Sequence, residues 1–439
     1  MHARRRGAGR ESAADRVAHS SRVLVSASRR NNLAKFAIGR RGRQHSGRVR
    51  YPDFCRQPYV FRRTYSVAKT PNSKFRPVVS ETPHSLAARH GRGASWSPAN
   101  RFEKLHVDLK DVDVADPGPE GDESPRRETQ FFSDASRSVI SRNQSPDVGF
   151  ETSINPYRGC EHGCIYCYAR PTHEYLGFSA GLDFESRIMV KEDAPELLAE
   201  ELSSPRWKPQ TIVMSGVTDP YQPVERKLEI TRRCLQVLAR FRNPVAMITK
   251  NRLVTRDIDV LRELASHQAV AINISVTSLD VNLQRVLEPR TSSPAARLEA
   301  VANLRAAGIP VGVMVAPIIP GLTDHEIPKI VQACAAAGAQ FAGYTIVRLP
   351  WAIAPLFENW LGEHFPDKKE KVLSRIRSVR GGTRLNDPQW GSRIVGQGIF
   401  AEQVRSLFEV ACRRAGLGER PTLSTGAFRR PVDQMELFR

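Results

Sequence analysis

Cys160-Glu-His-Gly-Cys164-Ile-Tyr-Cys167 places three cysteines within eight residues, and no fourth cysteine lies nearby. Thiolates this close together on a short loop make a soft-ligand site. A four-iron cluster takes four ligands, so three cysteines leave one iron open to another group. Two other chemistries use similar spacing. A structural zinc site would take the three cysteines with His162 or His173, and Cys164-Ile-Tyr-Cys167 alone has the spacing of a redox pair. Zinc ligands usually come as two pairs separated by a longer loop, and no second pair follows here.

Outward from the loop, apolar runs of strand length alternate with amphipathic stretches of helix length from about Ser145 to Phe365. That alternation is the pattern of parallel β/α units. Strands are predicted at Phe150–Pro156, Thr211–Gly216, Val245–Thr249, Val270–Val276, Val311–Ala316 and Ala342–Val347. Helices are predicted near 193–203, 224–240, 256–266, 294–307 and 324–337. In the run Arg297–Gly308 apolar residues recur at three and four, and glycine stands at the stop. Asp183–Val190 reads as an added antiparallel strand or an extension of the first unit. The predicted fold class is α/β, a partial (β/α)6 TIM-like barrel over 146–350.

The barrel reading has a consequence for chemistry, because working residues in such folds lie at the C-terminal strand ends and in the loops that follow. The cysteine loop follows the first predicted strand. Thr218 and Asp219 follow the second and Lys250 the third. Ser275 and Thr277 end the fourth, Pro317 the fifth and Arg348 the sixth. These positions are expected to converge on one face.

The formal charge of +20 suggests a nucleic-acid binder until its distribution is examined. Residues 1–100 hold 22 Lys+Arg against 4 Asp+Glu, whereas the rest of the chain holds 44 against 42. Residues 1–90 are Arg-, Ser- and Gly-rich and are expected to be a basic disordered tail. The tail fits a solvated polyanion-holding extension, a transit-like peptide, or sequence upstream of the working start. Residues 91–145 read as an N-terminal extension and linker, acidic over 113–128. Residues 351–439 read as a helical C-terminal extension.

The stretch Ile309–Leu322 is broken by three prolines, so no membrane span is expected. Seven cysteines, an odd count in a long chain, do not make a disulfide framework, and a reducing cytoplasm is implied. Cys234, Cys334 and Cys412 fall in helix-like patterns, as buried small apolar residues do. Trp351, Trp360 and Trp390 read as packing residues. Lys368–Arg380 reads as a solvated basic helix able to track phosphates.

From the cysteine loop onward the chain resembles the radical S-adenosylmethionine (SAM) superfamily, and within it the spore photoproduct lyase-related, DNA repair photolyase-like group. The resemblance covers roughly 150–350. It rests on the loop with Tyr166 before its last cysteine, Ile154-Asn-Pro-Tyr-Arg-Gly159, Val217-Thr218-Asp219-Pro-Tyr-Gln-Pro223, Thr249-Lys250, Ile274-Ser275, Leu287-Glu288-Pro289, Thr291-Ser292-Ser293, Arg297-Leu298 and Val315-Ala316-Pro317-Ile318. It implies that Cys160, Cys164 and Cys167 hold a [4Fe–4S] cluster whose open iron chelates SAM. One electron then cleaves the sulfur–C5′ bond, and the resulting 5′-deoxyadenosyl radical takes a hydrogen from substrate. By matched position, Tyr166, Thr218, Asp219, Lys250 and Ser275 would form the cofactor site, with Tyr166 contributing its backbone near adenine. A low-potential electron donor of flavodoxin or ferredoxin type is implied as partner. Spore photoproduct lyases carry a hydrogen-returning cysteine just before their Thr-Ser-Asp tripeptide. Gly216 occupies that place here, so their own reaction is not implied.

The last residues, Asp433-Gln-Met-Glu-Leu-Phe-Arg439, resemble the peptide by which bacterial repair proteins dock on the DNA sliding clamp, with Gln434 at the rim and Met435, Leu437 and Phe438 in apolar pockets. The expected function is therefore a radical SAM enzyme acting on a nucleic-acid lesion or modification. A radical SAM enzyme acting on a peptide or small metabolite is the alternative, and a zinc-stabilised clamp-docking adaptor is the non-enzyme reading.

Overall fold

The computed structural model describes residues 92–102 and 128–431. The basic segment 1–90, nearly all of the acidic run 113–128 and the terminal peptide Gln434–Phe438 lie outside the described residues. Ten strands occur among the described residues, in chain order β1 Gln130–Ser133, β2 Ile140–Arg142, β3 Thr152–Ile154, β4 Tyr157–Arg158, β5 Arg187–Val190, β6 Ile212–Met214, β7 Val245–Thr249, β8 Val270–Ser275, β9 Val311–Ile318 and β10 Ala342–Ile346. Seven form one sheet in the order β10-β9-β8-β7-β6-β3-β2. Every pair from β3 to β10 is parallel, and only β2, against β3, is antiparallel. The six parallel strands are the six apolar runs of the sequence. β8 is buried along its whole length, as expected of a parallel strand covered on both faces.

Helices join the parallel strands and pack on the outside of the sheet. Ile230–Phe241 turns Ile230, Cys234, Leu235, Leu238 and Phe241 inward at helical spacing. Pro294–Ala306 starts at Ser293, whose side chain accepts from the Ala296 amide, and stops before Gly308 at φ +78°. Cys234 and Cys334 are fully buried in these helices, and Cys412 is half-buried. No helix among the described residues is long and apolar enough to cross a membrane.

Asp183–Val190 divides. Leu182–Ser186 is a short helix, and β5 pairs antiparallel with β4 and parallel with β1 in a second, three-stranded sheet. Within that helix Glu185 is buried and turned inward, onto partners described below.

Beyond β10 the chain is helical, with Ile353–His364, Lys369–Ser378, Ser392–Val395 and Ile399–Arg414. Trp360 is buried, stacked on Phe357, and donates to the Val286 carbonyl at 3.1 Å. Trp351 and Trp390 are 46% and 62% exposed, which corrects the packing reading for both. The basic helix is also not uniformly solvated. Arg380 is buried, and its guanidinium donates to the carbonyls of Ile346, Val347, Ser392 and Arg393 at 2.7–2.9 Å. Those bonds fasten Ser392–Val395 over the end of β10. From there Arg393 pairs with Asp147, which follows β2, at 2.5 and 2.6 Å. The two edges of the seven-stranded sheet are thus bridged by side chains and not by a strand ladder.

Arg380→Met should remove four charge-assisted bonds and leave buried carbonyls unpaired. A loss of about 3 kcal/mol or more is expected, read as a lower urea midpoint with an unchanged slope.

Candidate functional site

The loops after the parallel strands are tied together by short polar contacts. Asn155, just after β3, accepts from the amides of Val217 and Thr218 at 2.9 and 3.3 Å. The Thr218 hydroxyl returns a bond to the Tyr157 carbonyl at 3.1 Å. Asp219, after β6, accepts from Thr249 Oγ1 at 2.7 Å and from the Lys250 amide at 2.8 Å. Lys250 Nζ donates to the Ala316 carbonyl at 3.0 Å, and Thr277 Oγ1, which has one proton to share, lies 2.9 Å from the same oxygen. The predicted positions Thr218, Asp219, Lys250 and Thr277 therefore lie at one end of the sheet, joined across five successive strands. Ser275 ends β8, buried, and its carbonyl accepts from Arg297 at 2.9 Å.

The cysteine loop has no regular structure to satisfy its backbone, so side chains do so. Gly159 and Gly163 hold φ of +79° and +67°, values that disfavour any residue with a Cβ. Arg170, fully buried, donates to the carbonyls of Gly163 and Cys164 at 3.1 and 3.0 Å and pairs with Glu185 at 2.5 Å. Glu185 also accepts from the amides of Gly93 and Ala94, at 2.9 and 2.8 Å. Gly93 lies so close that a Cβ there would come 1.7 Å from the Gly163 carbonyl oxygen. Glu161, likewise buried, accepts from the Val224 amide at 2.7 Å and from Arg290 at 3.1 Å.

Two charged clusters flank the loop. His162 Nδ1 stands 3.4 Å from Asp219, and its Nε2 is 3.3 Å from the Asn251 amide. Burial alone would lower the His162 pKa, but the charges of Asp219 and Cys160 outweigh it and raise it to about 10. On the other side Tyr166 is buried with its hydroxyl on Glu288, which also bonds Thr277 at 2.6 Å and pairs with the buried Arg297. Lys250 Nζ is 3.7 Å from Glu288 and 5.8 Å from the Tyr166 ring centre. Burial would raise the Glu288 pKa, yet Arg297 and Lys250 bring it down to about 2. Burial pushes the Cys167 thiol up to about 11 and the Cys164 thiol well above its ordinary value, with the Glu288 charge adding to the effect at Cys164 and neighbouring cysteines at both.

The donor set fits a cluster with one open corner. Cys160, Cys164 and Cys167 are free, share one rigid loop, and stand near enough for their charges to interact. Among the described residues no His, Cys, Asp or Glu side chains are grouped as a single metal ion would require. His162 is engaged with Asp219, and His173 Nε2 bonds the Arg187 carbonyl at 2.9 Å. A cubane spaces its thiolates more widely than one ion does.

Sequence reading placed the loop and the strand-end residues in the site but passed over Arg170, Glu185, Glu161 and Glu288 as functional supports. Their partners lie between 6 and 129 positions away, mostly beyond any local periodicity. The one available signal was the change in composition at Arg92-Gly93-Ala94. At Gly216 a Cβ would come 3.2 Å from Ser153 Oγ, and the Tyr168 hydroxyl donates to the Gly216 carbonyl at 2.8 Å.

Residues 154–334 match the family model described as the Radical SAM superfamily. An uncharacterised protein of Mycobacterium tuberculosis is 36% identical over 234 residues, 52% of this chain and 67% of that protein. A radical SAM Nalpha-GlyT isomerase of Pseudomonas phage M6 is 25% identical over 224 residues, 50% of this chain and 44% of the isomerase. Among solved structures, spore photoproduct lyase complexed with dinucleoside spore photoproduct aligns at a TM-score of 0.48 and 15% identity, over 66% of this chain and 81% of that one.

Glu288→Gln should destabilise the protein at neutral pH by about 3–5 kcal/mol, because it leaves Arg297 buried without its partner charge. The free carboxyl titrates near 4.5 and the folded one near 2. The stabilisation is therefore present above pH 4.5 and is lost as pH falls toward 2. Urea unfolding of cluster-free protein and variant should show a gap that is constant from pH 7 to 5 and narrows below 4.5.

Proposed function

This chain belongs to the radical SAM superfamily, whose enzymes use a [4Fe–4S] cluster and SAM, and from that membership we propose a radical enzyme acting on a nucleic-acid lesion or modification. When bound, these groups supply one-electron cleavage of the sulfonium and a 5′-deoxyadenosyl radical that takes hydrogen from substrate. The observation that carries the reading is a three-thiol loop set among the strand-end residues Thr218, Lys250, Ser275 and Thr277.

Cys160, Cys164 and Cys167 would hold three irons, and the Arg170–Glu185 pair would keep their loop rigid. Lys250 offers an ammonium group suited to the SAM carboxylate, and Ser275 and Thr218 offer hydroxyls suited to polar groups of the cofactor. The Tyr166 backbone would border adenine, while its hydroxyl stays on Glu288. Asp219 already accepts from Thr249 and the Lys250 and Tyr221 amides, so it would act by positioning Lys250 and His162. The surrounding apolar packing of Ile165, Leu283 and Leu287 would exclude water.

The nucleic-acid substrate is supported by the sequence motifs shared with the photolyase-like group. A radical step on a peptide or small metabolite is favoured by the near balance of charge outside residues 1–100, 44 basic against 42 acidic. A flavodoxin- or ferredoxin-type protein would deliver the electron. Docking on the sliding clamp through Gln434–Phe438 rests on sequence alone, and Phe438→Ala should abolish retention in a clamp pull-down.

Anaerobically reconstituted protein should bind about four irons per chain and release 5′-deoxyadenosine on reduction with SAM, and Cys164→Ala should do neither. Lys250→Ala should keep its iron but weaken SAM by about tenfold or more, as for loss of a charged hydrogen bond. Turnover with lesion-bearing oligonucleotides and with metabolite extract, each traced by deuterium transfer into 5′-deoxyadenosine, separates the two substrate classes. Iron-free protein that makes no 5′-deoxyadenosine would refute the proposal.

A further inference from the structure

Arg348 follows the C-terminal end of β10, on the side of the sheet that carries the cysteine loop. Its guanidinium lies 5.9 Å from the ring centre of Tyr168, the residue next to Cys167. Nε of Arg348 is buried without an acceptor, and the side chain has no hydrogen bond or ion pair among the described residues. Arg170, Arg297 and Arg380 are buried, and their terminal nitrogens are bonded to carboxylates or carbonyls, whereas Arg348 is half-buried. Burial and the nearby Arg393 cation hold the Arg348 pKa below the usual arginine value.

Asp147 and Asp387 are close enough for Arg348 to feel their charge, yet both are committed elsewhere. Asp147 is taken by Arg393 and the Gly391 amide, and Asp387 by Ser392 and the Gln389 amide. A half-buried cation whose Nε has no acceptor is less well satisfied than one fully paired or fully in water. A bound anion would correct that.

The neighbouring surface indicates which anion. Three residues on, Trp351 sits at φ +49° with its side chain 46% exposed. Arg101 lies 4.3 Å from the Trp351 ring centre and 5.1 Å from that of Phe102, whose ring is 4.8 Å from Tyr175. Phe102 and Tyr175 are both more than half exposed. Exposed rings interleaved with the Arg101 guanidinium, with Trp351 three residues along the chain from the half-buried Arg348, are the components of a single-stranded nucleic-acid surface. A carboxylate ligand would account for the cation but not for the rings.

We propose that Arg348 receives a backbone phosphate of a single-stranded nucleic-acid substrate, with adjacent bases stacked on the strip formed by Trp351, Phe102 and Tyr175. The inference rests on the nucleic-acid reading above and names the groups that would make it work.

Anisotropy of a labelled single-stranded oligonucleotide with the full chain, measured across potassium chloride concentrations, tests it. Arg348→Gln should flatten the slope of log affinity against log salt by about 0.7, one phosphate contact on a single strand. Trp351→Ala should weaken binding by about fivefold or more and leave the slope unchanged. Arg348→Gln should also unfold at no lower urea concentration than the parent, whereas a structural arginine would lower the midpoint. If the parent binds no oligonucleotide, both the inference and the nucleic-acid reading fall. If the parent binds but Arg348→Gln keeps its slope and affinity, only the inference falls, and the contact lies elsewhere. Displacement of the oligonucleotide from the parent, but not from Arg348→Gln, by an equally charged acidic peptide would assign the cation to carboxylates and overturn it.

Discussion

The buried pair between Arg170 and Glu185 is the interaction on which the site depends. A loop that must present three thiols cannot also lie in a helix or a strand ladder. Its carbonyls and amides must therefore find partners among side chains. Arg170 takes the carbonyls of Gly163 and Cys164, Glu185 holds Arg170, and the amides of Gly93 and Ala94 close the carboxylate from the far side. Taking two charges out of water is costly, and the geometry offsets that cost only because every donor and acceptor around them is used. Of the stretch Asp183–Val190, read as an added antiparallel strand or an extension of the first unit, Arg187–Val190 is the strand and Leu182–Ser186 is the helix that carries Glu185.

A second consequence concerns how the parallel sheet delivers chemistry. Strand ends in this architecture expose backbone groups, and here they are knitted together by Asn155, Asp219, Lys250 and Thr277. The network leaves the half-buried Lys250 ammonium on the Ala316 carbonyl and near Glu288. Glu288 in turn holds Tyr166 against the loop. Glu288 thus offsets one of the two cations, Arg297 and Lys250, that face it.

The open side of the sheet follows a different rule. β10 and β2 are edges, and the bridge between them is made by Arg380 and by Arg393 with Asp147. Side chains that bridge an edge commit their charges to each other, and at this seam they leave Arg348 without a counterion among the described residues. Arg380 spends its terminal nitrogens on four carbonyls, whereas Arg348 lies half-buried beside the Tyr168 ring.

The six parallel strands, their helices and the three-cysteine loop were legible in the sequence because their signals are local. Continuous apolar runs mark buried strands, three- and four-residue spacing marks helices, and ligand spacing on a short loop survives without knowledge of the fold. Membership of the radical SAM superfamily came with those motifs. Trp351 and Trp390 were misread because an apolar residue type does not guarantee burial. The roles of Arg170, Glu185, Glu288, Arg380 and Arg348 belong to tertiary structure alone. Whether an arginine meets a carboxylate, four carbonyls or nothing depends on segments brought together from distant parts of the chain, and a pairwise electrostatic contact leaves no periodic trace in the residues on either side of it.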